Sequence, residues 1–137
     1  MAGNVDSADF YHYEDLLDDE ERALLHDVRT FMTTEVQPLI LEHWAAATFP
    51  FEILPSYTKL GIAGAPYQGY GCGGRSNLFD GMLAMEIART DPSIATFHGV
   101  HSGLAMGSIY LCGSEEQREQ YLPRMARMEL IGSFGLT

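Results

Sequence analysis

Positive charge is scarce in this sequence. Lysine and arginine together number 8 against 19 aspartates and glutamates, a formal net charge of −11 over 137 residues. That balance excludes a phosphate-tracking nucleic-acid surface and docking on anionic lipid. Cysteine is equally sparse. Cys72 and Cys112 are far apart and belong to no CxxC or Cys/His spacing, so neither a disulfide framework nor a structural zinc site is expected. No basic n-region opens the chain, because Asp6, Asp9, Glu14 and Asp15 put acid where a signal peptide needs cations. Long apolar runs are missing too: the best candidate, residues 92–113, holds His98, His101 and several glycines, too polar for a membrane span. These absences together predict a soluble cytoplasmic protein with reduced thiols.

What remains is ordinary globular material, 46% hydrophobic and 20% charged, in a length that suits one domain. No repeat or linker divides it. Residues 1–13 read as a loose leader. A helix is expected from Asp18, where Asp18 and Glu21 have capping-box spacing, with an apolar stripe through Leu24, Leu25, Val28, Phe31, Met32 and Val36. Pro38 should end or kink it, leaving a short helix over 39–44. Pro50 suits the first turn of the next helix, and Gly61 its end. The glycine-rich stretch 62–74 reads as loop. Ser76 or Asn77 should open a fourth helix, Asp91-Pro92 a fifth that runs to Cys112, and the SEEQ pattern at 114–117 a last short one to about Met128. Residues 130–137 read as the start of a strand. The class is all-α with one stray strand.

Chemistry is harder to locate. Ala95, Gly99, Gly103 and Gly107 recur every four residues on the fifth helix, and each mid-helix glycine costs about 1 kcal/mol relative to alanine. Close approach of another helix is the plainer reason for them, and a ligand channel the other. His98 and His101 lie one turn apart and could face one site, but they lack the further ligands a metal needs; core or pocket-lining histidines are expected, and no metal site. Glu86 and Arg89 are i, i+3 neighbours and read as an ordinary helix-surface or partly buried pair; nothing in the sequence supports Glu86 as a catalytic base. The GYGCGGRS stretch, 69–76, lacks the lysine and the preceding strand of a phosphate loop. Neither cysteine has an identifiable base. Local reading alone assigns no catalytic group.

Three segments in order, LGIAGAPYQGYGCGG (60–74), AMEIARTDPSIATFHGVHSGLAMGSI (84–109) and GSEEQREQYLPRMARMELIGSFGLT (113–137), resemble the acyl-CoA dehydrogenase family, nearest its glutaryl-CoA dehydrogenase and short-chain acyl-CoA oxidase branch. The resemblance implies an N-terminal helical domain over 1–130 and, at 131–137, the first strand of a β-domain that this chain does not contain. It implies FAD as cofactor and α,β-dehydrogenation of an acyl-CoA thioester, with electron-transfer flavoprotein or oxygen as acceptor and a homotetramer as assembly. Phe134, Gly135, Leu136 and Thr137 match positions that lie against the flavin; Gly99 and Gly103 would line the acyl pocket. The family's catalytic glutamate falls in a C-terminal domain, so no residue here inherits that role. The glutaryl branch has an Arg-Ser pair where this chain has Ala95 and Thr96, which implies an uncharged, short or branched acyl chain. An oxidase of the same family is the near alternative. A non-catalytic helical acyl-binding or subunit-interaction module is the distant one, expected if the protein ends at Thr137.

Overall fold

The computed structural model describes residues 11–136. Seven α-helices organise them: α1 (Asp19–Phe31), α2 (Gln37–Ala46), α3 (Leu54–Leu60), α4 (Asn77–Thr90), α5 (Pro92–His98), α6 (Gly107–Cys112) and α7 (Glu115–Ala126). Short 3-10 turns precede α1 (Tyr13–Leu16) and α3 (Phe51–Ile53). The class is therefore all-α, as the helical periodicities predict. Most of the expected loose leader, residues 1–10, lies outside the described residues.

The first two helices are one rod. Between α1 and α2 the chain passes through a π-helical stretch, Met32–Val36, with helical dihedrals kept at both junctions. Pro38 was expected to end or kink this rod, since its ring opposes the carbonyl four residues back and it has no N–H. A wider π turn just ahead of it accommodates that ring without a break. The Thr33 and Thr34 hydroxyls donate to the Arg29 and Thr30 carbonyls at 2.9 and 2.8 Å, supplying donors in the same stretch.

Burial follows the apolar stripe. Leu25, Val28, Phe31, Met32 and Val36 are inside, and α1 packs against α4, which buries Phe79, Met82, Leu83 and Ile87. The Asp18–Glu21 capping box is only half made. Asp18 Oδ1 accepts the Glu21 N–H at 2.8 Å, but Glu21 does not reach back. Its buried carboxylate crosses instead to α4 and accepts the Ser76 N–H at 2.6 Å and the Ser76 hydroxyl at 3.0 Å. Ser76 in turn caps α4 through Phe79 N–H. One carboxylate thus ties two helix starts together, so it buries without an orphaned charge. The Ser114–Gln117 box, by contrast, is complete on α7.

Loop 62–74 is built on left-handed backbone, as its glycines suggest. Gly64 has φ +67° and no room for a side chain, a Cβ there lying 2.5 Å from Met106 Cε. The loop is held in place by Tyr67, whose hydroxyl donates to the Ser102 carbonyl at 3.0 Å.

The expected long fifth helix is continuous from Pro92 to Cys112 but not uniform. Its middle, Gly99–Met106, is π-helical. No strand forms among the described residues: 131–136 carry neither helix nor ladder. A strand needs a neighbouring strand to receive its backbone hydrogen bonds, and this chain folds only helices around that segment.

Candidate functional site

The π-helical middle of the long helix sorts the four small residues, because its turn is wider than an α turn and shifts their phase. Gly107 is buried, and a Cβ there would lie 2.6 Å from the Tyr67 hydroxyl oxygen. Close packing explains this glycine. Gly99 and Gly103 are exposed, and a Cβ on either would meet nothing within 4 Å. Close helix packing, the plainer reading of the spacing, therefore fails for these two. They line a cleft of about 90 Å³ with Tyr67, Asp80, His98 and Ser102. Ala95 and Thr96 are not among its lining residues; Ala95 is half-buried and the Thr96 hydroxyl donates to the Pro92 carbonyl at 2.9 Å.

The cleft favours neutral side chains. Burial pushes the Tyr67 hydroxyl up, with help from the nearby Asp80 charge. Burial also raises the Asp80 carboxyl. His98 is driven down to about 4 by burial and by the neighbouring His101, and its Nδ1 shares a 2.6 Å hydrogen bond with the buried Tyr57 hydroxyl. No lysine or arginine lines this space.

His98 and His101 do not converge on a common point. His101 is fully buried, with Nε2 at 3.1 Å from the Met125 carbonyl and Nδ1 at 2.9 Å from the Gly132 amide. Among the described residues no cluster of three metal-ligating side chains occurs. Cys72 is half-buried and its thiol is raised by burial, which disfavours a thiolate nucleophile.

The segment after α7 returns to the same long helix, where the Gly132 amide donates to His101 Nδ1 and a Cβ on Gly132 would collide with Ala105. Phe134, Gly135 and Leu136 are exposed, and Thr137 lies outside the described residues. Phe134 borders a groove of about 390 Å³ with Ala105, Ser108, Ile109, Tyr121, Met125 and Ile131. The structure thus places Gly99 and Gly103 in one recess and Phe134 in another, with the long helix shared between them.

Two functional groupings escape local sequence reading. One is the His101–Gly132 contact, which joins residues 31 apart. The other surrounds Glu86, read from sequence as half of a surface or partly buried pair with Arg89. Glu86 is buried, and Arg29 from α1 engages both its oxygens, at 3.1 and 2.9 Å, while Arg89 adds 2.8 Å. Helical spacing could reveal Arg89 but not Arg29, which arrives through tertiary packing.

Comparison with known proteins agrees with this architecture. Residues 18–129 match the family model described as "Acyl-CoA dehydrogenase, N-terminal domain". A short-chain-specific acyl-CoA dehydrogenase of Clostridium acetobutylicum is 30% identical over 119 residues, covering 86% of this chain and 31% of that protein. Among solved structures, a glutaryl-CoA dehydrogenase from Mycobacterium smegmatis in complex with FADH2 superposes with TM-score 0.81 at 36% identity, covering 88% of this chain and 31% of the other. Butyryl-CoA dehydrogenase from Megasphaera elsdenii gives 0.80 at 26% identity, covering 88% and 33%. The chain spans roughly a third of the length of these relatives. With the helical order, the matched span and the superposition in agreement, the chain belongs to the acyl-CoA dehydrogenase N-terminal domain family.

Proposed function

We propose that this chain forms the helical N-terminal part of an FAD-dependent acyl-CoA dehydrogenase acting on an uncharged, short or branched acyl-CoA. The observation that carries the reading is the open side of the long helix. Gly99 and Gly103 forgo the helical stability an alanine would bring, yet among the described residues a Cβ on either would meet nothing within 4 Å. An acyl chain laid along that side gives their smallness a reason. The surrounding cleft contains no lysine or arginine, so a substrate ending in a carboxylate would find no bidentate partner there.

Residues 134–136 fit one wall of a flavin site. They are exposed, lie outside any helix, and include Gly135, where a flat ring can approach the backbone because a Cβ there meets nothing. FAD, when bound, supplies the acceptor for the hydride lost from the acyl β-carbon. This chain's residues shape and dry the acyl side. None supplies the base, and Glu86 is a poor candidate because both of its oxygens are held by arginine. Electron-transfer flavoprotein or oxygen is the acceptor this reading implies, and a homotetramer the assembly.

The test is a flavin-bleaching panel on a longer protein that carries this chain. Butyryl-CoA should bleach the flavin, with kcat/KM about 100-fold above glutaryl-CoA, the scale set by a missing charged recognition partner. Equal or preferred use of glutaryl-CoA would show the substrate reading wrong, and no bleaching by any saturated acyl-CoA would remove the enzymatic one. The 137-residue chain by itself should show no turnover, since it offers one wall of the site and no base.

Gly99→Ala gives an independent check. Its helical backbone and open surroundings predict a domain more stable by about 1 kcal/mol in urea unfolding. In the longer protein the same methyl should shift preference toward shorter acyl chains. An unchanged chain-length profile would argue that the acyl chain does not pass this residue.

A further inference from the structure

His101 has features that neither the acyl cleft nor the helical core requires. It is fully buried in the π-helical stretch, and its ring lies parallel to Phe97, 7° between planes at a centroid distance of 6.2 Å. Both ring nitrogens are engaged, by partners that can each play only one role. The Met125 carbonyl can only accept, so Nε2 carries the proton and donates across 3.1 Å. The Gly132 amide can only donate, so Nδ1 is the bare nitrogen and accepts across 2.9 Å. The imidazole is thereby fixed as one neutral tautomer.

The two partners belong to consecutive parts of the chain. The Met125 carbonyl is in the last turn of α7, where it also accepts the Met128 N–H at 2.9 Å. Met128 then takes a left-handed conformation, φ 57°, and turns the chain back toward the long helix. Gly132 meets that helix so closely that a Cβ would collide with Ala105 Cβ and lie 2.7 Å from Met125 Cε. Only glycine permits this approach, and only His101 gives its amide an acceptor there. The exposed stretch Ser133, Phe134, Gly135, Leu136 follows directly.

We propose that His101, held as its Nε2–H tautomer, is the positioning residue that sets the placement of segment 132–136 on the long helix, and so of the flavin-facing wall. The flavin half of this inference rests on the functional reading above; the clamp itself rests on geometry alone. An amide side chain offers the same donor and acceptor side by side, so glutamine should replace histidine in this role, whereas phenylalanine keeps the ring and loses both bonds.

Nitrogen NMR on the 137-residue chain should show His101 with a protonated Nε2 and a bare Nδ1 at neutral pH. The opposite tautomer, or rapid exchange between the two, overturns the clamp. Amide exchange at Gly132 should quicken about tenfold in His101→Phe and return to near wild type in His101→Gln, with Leu83 and Ile87 amides as the measure of global stability. Equal exchange in all three proteins also overturns it. In a flavin-holding longer protein, His101→Phe should weaken flavin affinity about tenfold and His101→Gln should restore it. If wild type holds flavin and the phenylalanine variant holds it equally well, the positioning role fails. If wild type holds none, the functional reading fails, and the NMR result still decides the clamp. Should His101→Phe not fold, the wild-type tautomer and the glutamine variant decide the matter.

Discussion

Glu86→Ala is expected to lower the unfolding free energy by about 3 kcal/mol, the scale for removing one partner of a buried ion pair. Glu86 is 2% exposed, and its two oxygens receive three hydrogen bonds from Arg29 and Arg89. Arg29 also reaches Glu14 at 2.6 Å, so the cluster joins the turn before α1, α1 itself and α4. The guanidinium of Arg29 is held above its ordinary range chiefly by the Glu86 hydrogen bond, against a burial effect that works the other way. Deleting Glu86 removes the largest influence and leaves Arg29 its burial with Glu14 as the remaining carboxylate partner. Urea unfolding followed by far-ultraviolet circular dichroism gives the measurement, and a loss under about 1 kcal/mol would place the cluster among weak surface pairs instead. Glu86→Gln should cost less than alanine, because an amide oxygen still accepts from one arginine while the second oxygen site is lost.

Acidification from pH 6.5 to pH 4 is expected to remove about 3 kcal/mol of stability through His98 alone. The sign follows from the direction of the shift. His98 is pushed down to about 4 in the folded chain by burial, from an ordinary value of 6.5. Between those values the unfolded chain takes up a proton that the folded chain refuses, so stability falls as pH drops across this window and levels off below it. His101 is lowered as well, mainly by burial, and adds in the same direction. Asp80 works in the opposite sense: its carboxyl is raised by burial, so the stability it contributes is present at low pH and lost as pH rises through its folded value. His98→Gln isolates the histidine. Its pH–stability curve should lack about 3 kcal/mol of the wild-type drop between 6.5 and 4, and superimposable curves would refute the assignment.

Both expectations concern groups whose behaviour no local pattern reveals. Glu86 beside Arg89 is legible in the sequence because helical neighbours follow from spacing alone. Arg29, 57 positions away, is not, and with it the difference between a surface pair and a buried hub. In the same way, the His98–His101 spacing points to core or pocket-lining histidines but names no partner for either. Tertiary packing instead gives His98 to Tyr57 and His101 to Met125 and Gly132. The difference is physical: a pKa and a hydrogen-bond partner depend on what surrounds a group in three dimensions.

Caps and stops were legible where they are local. Ser76, Asp91 and Ser114 each accept a backbone N–H three residues on, as their residue types lead one to expect. Gly61 ends α3 in the left-handed conformation. Asp18–Glu21 shows the limit of that rule, because Glu21 found a better partner across the fold in Ser76. The glycine stripe shows it again. Spacing located the four small residues, and the winding of the helix decided that Gly107 packs while Gly99 and Gly103 face outward.

By itself, then, the sequence determined the helical class, most of the helix ends, the absence of a cation-rich surface and, through three ordered segments, the acyl-CoA dehydrogenase family. Those properties are written in composition, short-range spacing and residue type. The tertiary structure alone decided which small residues are free of packing, which carboxylate is locked by arginine, and how Gly132 brings the exposed stretch 134–136 onto the long helix. Each of these depends on contacts between residues that are distant in the chain.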